Sequence, residues 1–356
     1  MEYVRRLPVQ RTLDLVTIRR AGPEDGCTIA ALFQSVYRNS SHPFQSTACV
    51  AQFLLDERNF QIVAEEDHQV VASMAMVYNP WNDSYELGRA LTLPEYRRNG
   101  LAGLLMQQVV GWAADAGFGE LIFGYPRVRR IADLCADLDP KIVVAGHDAG
   151  RNVANGGRET HLIVCGVQRH ARFTHVAPGI AALLDWRFLI EQLYAPLGLI
   201  GSPGEYPSEC FVGAISQKQM SLGAWILDYA PANPSGALEV IGLQDDGATP
   251  CQIAQELNQI LCTMPEVQHV TATILADKVE IIRALAWFGF EISAYLPAWY
   301  RSGSFRYDCV QLARRQYDDE AATQDFPDLL RTLQAEFRSS PILRLPEKAP
   351  VLANCA

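Results

Sequence analysis

The first interpretable run is LVTIR at 15–19, which suits a short strand before a turn at Gly22-Pro23. Pro23, Glu24 and Asp25 then open IAALFQSVY, whose apolar positions recur at helical spacing. FQIVAEE (60–66) and QVVASMAMVY (69–78) read as strands, and the polar pair Asp67-His68 between them is a hairpin signal. A third run, YELGRALTL (85–93), stops at Pro94. GLAGLLMQQVVGWAADA (100–116) then sets Leu101, Leu104, Leu105, Val109 and Trp112 near one helical face and ends at Gly117. ELIFGYP (120–126) predicts a buried strand and VRRIADLCADLD (128–139) a helix. KIVVAG (141–146) and ETHLIVCG (159–166) predict two strands joined by the Gly- and Asn-rich loop HDAGRNVANGG. This order fits one mixed sheet with helices on both faces.

The second half repeats the vocabulary. A helix at 180–194 and the breaker-rich LGLIGSPGEYPSE (197–209) form a link. Strands are predicted at 210–216, 222–229, 237–243, 269–275 and 307–314, with FEISAYL (290–296) between them, and helices at 251–261 and 278–289. An amphipathic helix at 326–337 precedes a Pro-punctuated end. The layout predicts an N-terminal domain over 1–170, a linker with a helix over 171–209, a second α/β domain over 210–315, and a helix and tail over 316–356.

Composition narrows the function more than the fold. At 356 residues the chain exceeds the roughly 250–300 residues that one core supports, consistent with two domains. A formal charge of −10 argues against nucleic acid, whose phosphates need a basic face, but leaves room for a small anion in a local pocket. The nine cysteines form no CxxC pair and no cluster with histidine, so neither a metal site nor a disulfide framework is expected. No apolar run approaches the roughly 18 residues of a membrane span, the N-terminal segment lacks a signal-peptide core, and reduced thiols suit the cytoplasm.

Chemistry concentrates at one junction. Strand YELGRALTL passes through Leu93-Pro94-Glu95-Tyr96-Arg97-Arg98-Asn99-Gly100 into the helix beginning Leu101-Ala102-Gly103. A helix start offers unpaired N–H groups and the positive end of the dipole, which suits phosphate. Gly100, Ala102 and Gly103 keep side chains out of the way, and Arg97 and Arg98 add positive charge.

The run Pro94-x-Tyr96-Arg97-x-x-Gly100-x-Ala102 resembles the acyl-CoA signature of the GNAT superfamily of N-acetyltransferases, and the element order over 15–168 resembles the GNAT fold. The resemblance implies acyl-CoA, acetyl-CoA or another short acyl-CoA, as co-substrate. Its pyrophosphate would lie on the backbone from Arg98 to Gly103, and its pantetheine arm along the strand end at Leu91, Thr92 and Leu93. It implies an amine acceptor, attacked directly in a ternary complex. Glu86 stands where many members carry a general base, the alternative being an exposed strand-end carboxylate. The helix that commonly supplies a tyrosine acid has none here; Cys135 falls close to that place and Tyr125 lies just before it. Arg151 and Arg158, in the polar loop, could bind an acidic group of the acceptor.

In the second half, KVEIIRALAWFGF is similar to the family's helix that ends in Gly-Phe, but the loop after ALEVIGL carries Asp245 and Asp246 instead of the signature. The fold class expected is thus α/β, with two tandem GNAT-like domains of mixed, mostly antiparallel sheet, the second degenerate. Two other readings stay open. The donor could be the phosphopantetheine thioester of an acyl carrier protein, or the chain could be a non-catalytic acyl-CoA or metabolite-binding module.

Overall fold

Asp67 and His68 both adopt left-handed backbone, φ 49° and 64°, the geometry that joins two twisted strands through a two-residue turn. The flanking runs become β2 and β3 of a computed structural model. It describes residues 15–340 apart from 38–41, 118, 128–133, 135–137, 139–140, 155–156, 172, 178–184, 215–218, 223–224, 229–235, 244–246 and 316–327. The fold is mixed α/β with mostly antiparallel strands, and packing divides it into two units, Met1–Phe123 with Asp137–Pro140, and Gly124–Ala136 with Lys141–Ala356.

The first unit runs β1 (Thr17–Arg20), α1 (Gly26–Val36), α2 (Thr47–Leu54), β2 (Phe60–Glu66), β3 (Gln69–Asn79), β4 (Ser84–Thr92), α3 (Leu101–Asp115) and β5 (Leu121–Gly124). The strands lie in the order β1-β2-β3-β4-β5, and the first four pair antiparallel. Five successive residues of β2, Phe60 to Ala64, are buried. Side chains alternate across a strand, so both faces of the sheet are covered. Ile29, Phe33, Phe44 and Val50 pack with Val63 and Leu91 on one face. The helix α3, whose buried Leu105, Val109 and Ala113 take no part in that cluster, packs on β2 and β3 and covers the other. Each such aliphatic side chain contributes about 1.5–3 kcal/mol by leaving water. Arg19 of β1 binds Asp25 at 2.8 Å and Glu65 of β2 at 2.9 Å, and the guanidinium holds the Asp25 carboxyl below its ordinary range.

The second unit holds β6 (Ile142–Ala154), β7 (Gly157–Val167), β8 (Phe173–Val176), β9 (Ile200–Pro203), β10 (Gln219–Leu222), β11 (Trp225–Asp228), β12 (Ala237–Leu243), β13 (His269–Leu275), β14 (Glu291–Ser302) and β15 (Phe305–Arg315). Its sheet follows β7-β6-β14-β15-β13-β12-β11-β10, with β8 beside β15 and β9. Helices Pro250–Cys262 and Val279–Trp287 connect β12 to β13 and β13 to β14, and helix Asp328–Ser339 packs on β6 and β14. Asp308 is fully buried at the centre of β15, and Thr174, Tyr194, Tyr295 and the amide of Ala298 all donate to its carboxylate. A buried carboxylate with four donors is tolerated where an unpaired one would not be.

Several expectations are corrected. The polar loop expected at 147–157 is mostly strand, because β6 and β7 form one long hairpin whose Asp148 and His161 lie opposite each other. FEISAYL continues to Ser302, since β14 stays paired with β15 past its bulges. Among the described residues CFVGAIS makes an isolated bridge, Phe211 to Ile274, in place of a strand, and of the run 222–229 Leu222 ends β10 while 225–228 form β11. The link helix runs over 186–197 with a wide five-residue turn, Ile190–Tyr194, in its middle. The helix α2 has no counterpart in the sequence reading. Apart from Leu134 and Leu138, the expected helix at 128–139 lies outside the described residues, as do Asp245 and Asp246. The β6–β7 hairpin pairs with β14 (Gly146 opposite Ala294) and packs in the second unit. No helix among the described residues is long and apolar enough to cross a membrane, and none of their His, Cys, Asp and Glu side chains groups into a metal site.

Candidate active site

The loop between β4 and α3 is held at its base and open at its top. Leu93 donates to Val71 of β3, and Pro94–Tyr96 make a single 3-10 turn. The buried Tyr96 donates its hydroxyl to Glu66 at the end of β2, and Arg97 Nε donates to the Thr92 carbonyl at 3.1 Å. The chain then passes through left-handed backbone twice, at Arg98 (φ 69°) and Gly100 (φ 81°), before α3 begins. A non-glycine residue in that region costs of order 1 kcal/mol, so Arg98 marks stored strain.

That path leaves amides unused. Gly103 and Leu104 donate to the Gly100 carbonyl, but the N–H groups of Arg98, Asn99, Gly100, Leu101 and Ala102 find no acceptor among the described residues, and no side chain caps α3. A Cβ built on Gly100 would meet nothing within 4 Å, so the space above the amides is open. Five donors at the positive end of a 15-residue helix make a fitting cradle for a pyrophosphate. By contrast, helix Pro250–Cys262 of the second unit is closed by its own residues: Thr249 and Gln252 form a reciprocal capping box, with the Thr249 amide donating to Gln252 Oε1 at 2.9 Å.

β4 carries a second irregularity, nine residues before Arg98. Gly88 pairs with Ala75 and Leu91 with Ser73, so Arg89 and Ala90 together oppose Met74. The bulge sets Arg89 at φ 53° and turns its guanidinium over two rings, 4.5 Å from the centroid of Phe44 and 4.9 Å from that of Phe53. Burial pushes the Arg89 pKa below its ordinary value, though the group stays charged. Burial, with the Arg89 charge next, also pushes His42 down, and its ring stacks on Phe33 and meets Phe44 edge-on. Glu86, Gly88 and Leu91 share the face that packs toward α1 and α2, because the bulge restores the phase between them. Glu86 is half-buried and forms no hydrogen bond or ion pair among the described residues. β5 has four residues and begins beside Asp83, so it cannot accompany β4 beyond the bulge.

Of the residues singled out in the sequence, Leu91 to Gly103 form one continuous strand-end, loop and helix-start, with Glu86 on the same strand. Tyr125 follows β5 and belongs to the second unit by packing. Arg151 lies in β6 and Arg158 in β7, with side chains outside the described residues, as is Cys135 altogether. Arg89 was missed. Its signal is a charge in phase with Leu87 and Leu91, both buried, which a regular strand could not accommodate. His269, which no motif marks in the sequence, is buried against Asp148 at 2.7 Å.

Residues 28–128 match the family model "Acetyltransferase (GNAT) family". No curated protein matches the chain. Among solved structures, a GNAT-family acetyltransferase from Streptococcus pneumoniae is 15% identical and aligns over 43% of this chain and 99% of its own, with a TM-score of 0.37. A ribosomal-protein-S5-alanine acetyltransferase from Vibrio fischeri is 19% identical over 45% of this chain and 96% of its own, TM-score 0.37. Mutant forms of a spermidine/spermine N-acetyltransferase from Vibrio cholerae are 17% identical over 44% of this chain and 95% of theirs, TM-score 0.37.

Proposed function

From the match of residues 28–128 to the GNAT acetyltransferase family model, we propose that the chain transfers an acetyl or other short acyl group from acyl-CoA to the amine of a small-molecule acceptor. The observation that carries this reading is the run of five unpaired amides from Arg98 to Ala102 over open space at Gly100. Those amides would hold the pyrophosphate, with Arg97 and Arg98 adding charge at the rim. Leu91 and Thr92, on the stretch of β4 that β5 does not reach, and Leu93 just beyond its end would line the pantetheine arm. The thioester supplies the acyl group.

Glu86 serves as the general base. Its carboxylate, unpaired on the α1–α2 face of β4, takes a proton from the acceptor ammonium, directly or through one water, so that the neutral amine can attack. The N–C bond forms as the C–S bond breaks, and a proton from water meets the thiolate. The second segment, 210–315, is a worn copy of the same plan that does not bind CoA. Support comes from its order of strand β12, helix and strand β13, which repeats β4, α3 and β5, and from its capped helix start.

Thiol release from acetyl-CoA with a panel of amines tests the reading. Turnover is expected with at least one amine, and Glu86→Gln should lower kcat about 100-fold with the KM for acetyl-CoA unchanged. Tight CoA binding without turnover by any amine would contradict it and favour a binding module.

A further inference from the structure

We propose that the acceptor carries a carboxylate on the same molecule as its amine, and that Arg89 binds that carboxylate beside Glu86. This rests on the acyltransfer reading and names the substrate class at that site. Arg89 makes no hydrogen bond or ion pair among the described residues. Its Nε is sealed from solvent without an acceptor, while its two terminal nitrogens remain reachable. The aromatic faces of Phe44 and Phe53 favour the cation but offer no oxygen to its N–H groups. A largely desolvated guanidinium is ordinarily answered by a carboxylate or by backbone oxygens, and the described residues supply neither.

The strand places the two halves of the recognition together. Without the bulge, Glu86 and Arg89, three residues apart, would point to opposite faces. The extra residue brings both to the α1–α2 face, close enough for the Glu86 charge to act on Arg89 without an ion pair forming. An ammonium set against Glu86 and a carboxylate set against the planar fork of Arg89 would satisfy both groups at once. A plain polyamine or an uncharged amine would leave Arg89 unanswered. The left-handed backbone at Arg89 fits this role, since a residue kept there for packing alone would be better served by glycine.

The test uses the full chain and two readouts. In thiol release, matched sets of an amino acid, its amide and its decarboxylated amine are compared. The carboxylate-bearing member should show kcat/KM at least tenfold above the other two. Arg89→Gln should erase that preference by raising KM with little change in kcat, and Arg89→Lys should restore part of it. In calorimetry without CoA, a panel of N-acetyl amino acids and their amides is titrated, the product retaining the carboxylate. At least one acid should bind tenfold tighter than its amide to the wild type, and equally weakly to Arg89→Gln. Equal handling of acid and amide by the wild type, or binding of neither, overturns the inference. Acids that bind through Arg89 without any thiol release would uphold it and overturn the catalytic reading instead. Thiol release indifferent to the carboxylate would do the reverse.

Discussion

Gly100 and Gly119 have nearly the same backbone, φ 81° and 77°, in unlike surroundings. A Cβ at Gly100 meets empty space, whereas one at Gly119 lands 2.2 Å from the ring carbons of Tyr85, a side chain with no room to move. Gly119 also donates its amide to Asp83 at 3.0 Å. Gly100→Ala should therefore cost about 1 kcal/mol, the conformational penalty alone. Gly119→Ala should cost about 3 kcal/mol or more, because overpacking adds to it. Urea unfolding of the two variants compares them. Equal losses would mean that the openness above Gly100 is misjudged.

Elements show how a strand–loop–helix junction is braced to leave its amides free. The hydroxyl of Tyr96 ties the loop to β2, so Tyr96→Phe should lower stability by about 1 kcal/mol and weaken CoA binding several-fold. Unchanged affinity in calorimetry would show the cradle to be held by α3 alone. This junction was legible in the sequence because its signals are local: a proline, two arginines, a glycine and a periodic helix in ten residues. The hairpins at 60–79 and the strands at 237–243 and 269–275 were legible for the same reason. The β4 bulge was not, since it depends on which residues of β3 lie opposite. The β6–β7 hairpin was masked by polar residues that β-pairing accommodates, Asp148 bonding His269 from a strand 121 residues away. The helix α2 was overlooked because its short TACVAQFL carries only about two turns of pattern after a 3-10 turn at Pro43–Gln45.

The whole chain carries −10, so its long-range field does not favour a polyphosphate, and a CoA site must rely on local donors. Its stability should also respond to pH through the buried histidines of the second unit. Burial, first among the causes, pushes His147 from 6.5 down to about 4, and pushes His161 down as well. Between pH 6.5 and 4 the unfolded chain binds a proton that the folded one refuses. Stability therefore falls on acidification across that window, by about 3 kcal/mol for His147, and is unaffected by it above. Urea unfolding against pH should show this slope, and His147→Gln should flatten it; an unaltered slope would assign it elsewhere.

The measurement that bears most directly on the central claim is calorimetric CoA binding to the wild type and to Gly100→Glu, which places a carboxylate over the five free amides. With circular dichroism showing the fold retained, affinity should drop at least 100-fold. An unchanged Kd would show that the amides from Arg98 to Ala102 are not where the pyrophosphate sits.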